Sequence, residues 1–163
     1  MQTCKTKKSR GVEKLIEFKQ EFLHDVEDDL KELGRLHMEE VHHQHELLPV
    51  EFDEELYRKA ESFDLLRIFT ARSEDALVGY LVVVITPDMH SKGKFLASDD
   101  GFFIKKEYRK NGNGVKLLRF AEKCLKEDGF ETLHISTTEM NPIDDLLTKM
   151  GYKQIERKYE RVL

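Results

Sequence analysis

Arg109-Lys110-Asn111-Gly112-Asn113-Gly114 places two cations beside two glycines, between the apolar run Phe102-Phe103-Ile104 and a helix-like run from Val115 to Asp128. Glycine lets a backbone approach a ligand closely and reach conformations that a Cβ forbids. Where such a turn opens a helix, N–H groups without an intrahelical partner and the positive end of the macrodipole converge on one anion. The backbone from Lys110 to Val115, with Arg109 and Lys110 as mobile charges, therefore reads as a cradle for a diphosphate, a plain strand-to-helix turn being the alternative. A Walker loop is excluded, because Val115-Lys116-Leu117 follows the last glycine where Lys and Ser/Thr are required. The dinucleotide fingerprint is excluded too, because its third glycine would fall on Leu117.

Other residues could also do chemistry. Asp99-Asp100-Gly101 interrupts a strand-like run from Phe95 to Ile104, and a glycine inside a strand pattern suggests a bulge. His37, His42, His43 and His45 invite a metal reading, but their spacing does not give His-x-x-x-His with a third ligand and no cysteine lies near, so no metal is expected and the run reads instead as a helix end lining a cleft. Cys4 and Cys124 form neither a disulfide framework nor a metal pair, and Cys124 reads as a small buried hydrophobe. Asn141 followed by Pro142 reads as a helix N-cap with proline at the first helical position.

The elements that must position these residues follow from periodicity. Residues 1–10 read as a flexible basic tail, and Val12 to Phe18 as a first strand or the lead into a helix. From Lys19 to His45 the apolar positions Phe22, Leu23, Val26, Leu30, Leu33, Leu36, His37 and Val41 recur at helical spacing, with Gly34 expected to break the run into two helices. Leu47-Leu48-Pro49 closes it, and Phe52, Leu56, Tyr57 and Ala60 mark a further short helix. Leu66 to Ala71 and Leu77 to Thr86 form a hairpin joined by Arg72-Ser73-Glu74-Asp75, with Pro87 ending its second strand. His90 to Gly93 is a loop. The helix after the glycine turn buries Val115, Leu118, Ala121, Cys124 and Leu125 and stops at Gly129. A strand Thr132 to Thr137, a helix Pro142 to Met150 and a strand Lys153 to Val162 complete an α+β reading with a mixed sheet.

The chain has 163 residues, the size of one domain, which places a single domain over residues 11–163. Charged residues make up 36%, consistent with a soluble, cytoplasmic protein. No apolar segment follows the basic tail, so no signal peptide is expected, and the run Leu81 to Ile85 is too short to cross a bilayer. Val12 to Asp64 holds 17 acidic and 6 basic residues, a net of −11, whereas Leu65 to Leu163 carries +2. That acidic third disfavours a nucleic-acid footprint and is permissive of a cationic partner.

The surviving Arg-x-x-Gly-x-Gly pattern resembles the pyrophosphate loop of the GNAT acyl-CoA N-acyltransferases. Phe102 to Tyr108 resembles the strand before that loop, Leu133 to Thr137 the strand after its helix, and Asn141 to Tyr152, ending Met150-Gly151-Tyr152, the family's last helix and Gly-aromatic terminus. The likeness covers roughly Leu66 to Leu163. Leu66 to Arg72 and Leu117 to Glu122 also resemble short, often phage-encoded members.

The resemblance implies a mostly antiparallel central sheet flanked by helices, and acetyl transfer from acetyl-CoA, as co-substrate, to a primary amine by direct attack. It places the diphosphate on Arg109, Lys110, Asn111, Gly112, Asn113, Gly114 and Val115. An N–H from about Phe103, Ile104 or Lys105 would polarise the thioester, and Asn141 would bond the pantetheine arm, beside its reading as a cap. Asp100 is the first candidate for the base, with Asp99 and His134 behind it and a turn-stabilising role as the alternative. The family often has a tyrosine that protonates the thiolate four residues before the Gly-aromatic pair; here Leu147 stands there. This departure keeps a non-catalytic interaction or virion-associated role open as the rival reading. The acceptor is expected to be a small-molecule or lysine-type cation, met by Glu39, Glu40 and Glu46; a homodimer is left open.

Overall fold

The computed structural model describes residues 15–41, 52–161 and 163. Strand β1 (Glu17–Glu21) leads into helix α1 (Leu23–Val41), then α2 (Glu54–Ser62), β2 (Leu66–Ser73), β3 (Ala76–Pro87) and β4 (Phe95–Ile104). Two short 3-10 turns, Lys106–Tyr108 and Lys110–Gly112, precede helix α3 (Asn113–Glu127), which is followed by β5 (Leu133–His134) and α4 (Asp144–Met150). The five strands lie in chain order, β1 to β4 antiparallel and β5 parallel to β4. The fold is α+β, as expected. Among the described residues no helix is long and apolar enough to cross a membrane.

β3 is the middle strand and reads apolar on both faces, as a strand covered on both sides must. Val78, Leu81, Val83 and Ile85 pack with Leu117, Leu118, Ala121 and Leu125 of α3. Leu77, Tyr80 and Val82 pack on the other face with Leu23, Val26, Leu30 and Leu33 of α1. The β2–β3 hairpin turns through Glu74 and Asp75, both at positive φ (50° and 68°), the twist that a two-residue hairpin loop needs.

α1 is one helix where two were expected. Its stripe of Leu23, Val26, Leu30 and Leu33 is at most 3% exposed, and packing on that scale outweighs the roughly 1 kcal/mol that Gly34 costs against alanine. α2 is fixed to α1 by polar contacts: the Leu23 N–H donates to Glu61 Oε1 (2.7 Å) and Arg58 pairs with Glu27 (2.6 Å). Asp53 caps α2 by accepting the Leu56 N–H at 2.9 Å.

Four further expectations are corrected. β5 keeps two residues of the six expected, because the chain leaves β4 after His134. α4 begins at Asp144, and Asn141 does not cap it; the Thr137 hydroxyl instead accepts the Ile143 N–H (3.0 Å) and donates to Asp144 (3.1 Å). In α3 the buried positions include Leu117, while Val115 and Cys124 are only half-buried. The last run, 153–161, forms no strand among the described residues: Ile155 and Tyr159 are 69% and 90% exposed, and a strand without a face to bury gains little.

Candidate functional site

The site begins where β4 stops pairing with its neighbour. β4 and β5 are joined at Ala97↔Leu133 and Ser98↔His134, and beyond that the two chains diverge. At the same level β4 carries a bulge against β3: Val83 faces Asp99 and Val82 faces Gly101, leaving Asp100 as the extra residue. The bulge resets the alternation of side chains. Ala97 and Phe102 lie on the α3 face, whereas Phe103 joins the α1 core and Asp100 reaches Tyr57 on α2.

The diverging strands open a cleft of about 500 Å³, walled by residues 99–104 on one side and by 136–138, 141–143, 145 and 146 on the other. Its floor is the glycine turn. Asn111 and Gly112 stand consecutively at positive φ (60° and 69°), which swings the chain so that α3 starts at the cleft. Gly114 lines it with a bare Cα; a Cβ there would stand 3.5 Å from Phe102 Cζ, in ordinary contact, so the glycine keeps the space above the first turn of α3 clear.

Of the residues singled out in the sequence, Asp100, Phe103, Ile104, Arg109, Gly112, Gly114, Val115 and Asn141 line the cleft. Lys105, Lys110, Asn111 and Asn113 do not. The Lys105 N–H donates to Val78 within the sheet (2.8 Å), and the Asn113 side chain braces the turn by donating to the Tyr108 carbonyl (2.9 Å). Arg109 is clamped: Nε donates to the Ile104 carbonyl (2.8 Å), Nη2 pairs with Glu40 of α1 (2.5 Å), and its guanidinium sits 5.3 Å from the centre of the Phe103 ring. His134 pairs with Ser98 and does not line the cleft.

A polar cluster closes the α1 side. His37, 7% exposed, lines the cleft, meets the Tyr80 hydroxyl through Nδ1 at 2.7 Å and stacks on Phe103 at 4.9 Å. Gly101 makes room for that pair, since a Cβ would stand 3.2 Å from Tyr80 and 3.6 Å from His37. The Tyr57 hydroxyl donates to Asp100. Burial, then the Asp100 carboxylate, pushes both the Tyr57 and Tyr80 hydroxyls well above the usual phenol range, so they remain protonated donors. Burial raises Asp99 as well, opposed by the Ser136 N–H that it accepts at 2.8 Å.

Leu147 is 8% exposed and packs in the α3 core. Tyr152 donates to Glu122 at 2.6 Å, and Tyr159 is 90% exposed. Among the described residues no cluster of three or more His, Cys, Asp or Glu could hold a metal; His42, His43, His45 and Glu46 lie outside them. The sequence placed His37 on a helix end lining a cleft, but its bond to Tyr80 and its stacking on Phe103 were not read from it. Its signal was a histidine on the buried stripe of α1, four residues after Leu33.

The model of the GNAT acetyltransferase family matches residues 23–152, and the chain belongs to that family. It is thereby an N-acetyltransferase by class. Solved structures share the fold at low identity. A ribosomal-protein-alanine N-acetyltransferase from Brucella melitensis biovar Abortus superposes with a TM-score of 0.71 at 14% identity, over 91% of this chain and 98% of that one. An aminoglycoside acetyltransferase from an uncultured soil metagenomic sample, in complex with sisomicin, gives 0.66 at 19% identity, over 91% and 97%. A predicted acetyltransferase with acetyl-CoA from Clostridium acetobutylicum gives 0.66 at 13% identity, over 91% and 96%. No curated protein matches by sequence.

Proposed function

We propose that this chain transfers an acetyl group from acetyl-CoA to a primary amine that is a cation when free. The observation that carries the reading is the cleft itself, which runs from the first turn of α3, cleared by Gly114, to the Asp100–His37 cluster. The N–H groups that open a helix suit a diphosphate. The diverging wall from Ser136 to Asn141 suits the pantetheine arm, and Asn141, relieved of capping, can bond to it. An N–H and a C=O of one residue point to the same side of a strand. Arg109 reaches the Ile104 carbonyl on the side away from β3, so the Ile104 N–H faces the same open edge. Ile104, rather than Lys105, is therefore the donor best placed for a developing oxyanion.

In the reaction the amine nitrogen attacks the thioester carbonyl carbon, the oxyanion collapses, the C–S bond breaks and CoA leaves as thiolate. The cationic amine first loses one proton, to Asp100 directly or through water, which exposes the lone pair that attacks; the second N–H proton leaves after attack and balances the charge of the departing thiolate. The thiolate is a good leaving group, so Leu147 in place of a general acid forgoes a factor of roughly 10²–10⁴ at most. Aminoglycosides, bound by one structural neighbour, are cations of the class proposed.

Calorimetry with acetyl-CoA, followed by release of free thiol across polyamines, lysine peptides, aminoglycosides and neutral amines, tests the reading. Binding with turnover on cationic amines is expected. No binding, or preference for anionic acceptors, would overturn it.

A further inference from the structure

Parallel strands that keep their ladder stand about 4.8 Å apart, too close to admit a ligand between them. A cleft between β4 and the chain beyond β5 therefore requires something to end the ladder and hold the separation. The pairing ends at Ser98↔His134. In a continuing ladder the next donor from the β5 side would be the Ser136 N–H, bonded to the β4 backbone. It is bonded instead to the side chain of Asp99, at 2.8 Å. A carboxylate placed between two backbones widens their spacing by the length of a side chain while still satisfying the ladder's donor.

Three independent features meet at this residue. Asp99 is the last β4 residue before the bulge at Asp100, so the strand bends away from β3's register where the side chain takes over from the ladder. Asp99 and Ser136 both line the cleft, one on each wall, just beyond the last β4–β5 pair. The carboxyl is buried enough to be pushed up, and the Ser136 N–H is what opposes that cost. Its neighbour Asp100 points to the opposite face, toward Tyr57, so the two adjacent acids serve different walls.

We infer that Asp99 is a positioning residue: its carboxylate replaces the β4–β5 ladder at Ser136 and sets the width of the cleft throat. The claim about width is structural; its consequence for acetyl-CoA rests on the acetyl-transfer reading. Losing the brace lets the ladder zip further or the Ser136 strand drift, and either misplaces the wall along which the acyl arm lies.

Two readouts separate the possibilities. Amide exchange at Ser136, measured on the unliganded protein, should be slow in the wild type and in Asp99→Asn, whose amide oxygen still accepts, and at least about tenfold faster in Asp99→Ala, as loss of a charge-assisted hydrogen bond implies. Calorimetry should show acetyl-CoA binding weakened about tenfold in Asp99→Ala and within about threefold of wild type in Asp99→Asn. Rapid Ser136 exchange in the wild type, or exchange unchanged by Asp99→Ala, would overturn the proposal. So would Asp99→Asn that binds acetyl-CoA normally but loses turnover, since that pattern belongs to a base. Slow Ser136 exchange lost in Asp99→Ala, in a protein that takes up no acetyl-CoA, would support the brace and refute the acetyl-transfer reading alone.

Discussion

The two ends of the cleft are built differently. At the α3 end the working groups belong to the backbone: a left-handed pair at Asn111 and Gly112, a bare Cα at Gly114, and the N–H groups of one helical turn. At the α1 end they are side chains from four elements: His37 on α1, Tyr57 on α2, Tyr80 on β3 and Asp100 on β4. A backbone site suits a ligand fragment that never varies, because its geometry is set by local φ and ψ. A side-chain site can be remade by single substitutions while the fold stays, which suits a variable acceptor.

The largest effect should come from blocking the backbone end. Gly114→Glu leaves room for its Cβ and projects a carboxylate where the diphosphate would lie, so the variant should keep its melting temperature yet lose at least about 100-fold in acetyl-CoA affinity by calorimetry. Equal affinity would show that the α3 turn is only a turn. At the other end, Asp100→Asn should leave acetyl-CoA affinity intact and lower kcat about 100-fold, the lower end of what general-base catalysis provides. Tyr57→Phe, which removes only the hydroxyl on Asp100, should cost less than Asp100→Asn. An Asp100→Asn enzyme with unchanged turnover and pH profile would reduce Asp100 to a bulge residue.

Leu147 marks where likeness to the family misleads. The resemblance to the family suggests that Leu147→Tyr would restore a general acid. The position faces the α3 core and is 8% exposed, so the larger ring should overpack it, costing about 1–3 kcal/mol in denaturant unfolding without raising kcat. A stable variant with faster turnover would mean that α4 sits differently when substrate binds.

The same contrast accounts for what could be read from the chain beforehand. The glycine turn was legible because its geometry is local: four or five adjacent residues set the dihedrals and start the helix. The bulge at Asp100 was legible for the same reason, through Gly101. The α1 end was not, because Tyr57 meets Asp100 and His37 meets Tyr80 across 43 residues each, and no periodicity in either segment encodes the other. Gly34 misled because propensity is a small term beside four buried leucine and valine side chains. The run 153–161 misled because its alternation has no partner face among the described residues. The length of β5 could not be read from its own sequence, since a carboxylate on another strand takes the Ser136 donor.

Glu40 joins the two ends, and it predicts the smallest effect. The acidic first third was expected to attract a cationic acceptor, yet Glu40 is spent on Arg109, the cation expected to meet the diphosphate. Arg109 cannot fully serve both anions. On the acetyl-transfer reading Glu40 would compete with the co-substrate, and Glu40→Gln should free the guanidinium and tighten acetyl-CoA binding. The gain is bounded by the strength of a partly exposed ion pair, about 0.2–1 kcal/mol, which corresponds to no more than about fivefold. It should shrink as salt screens the pair. Arg109 is also held by the Ile104 carbonyl and by the Phe103 ring, so it should stay near the cleft when Glu40 is neutralised rather than swing into solvent. In an Arg109→Ala background the same substitution should change affinity little, which makes a double-mutant cycle by calorimetry the decisive measurement. Weaker binding in Glu40→Gln alone would mean that Glu40 orients Arg109 toward the diphosphate instead of withholding it.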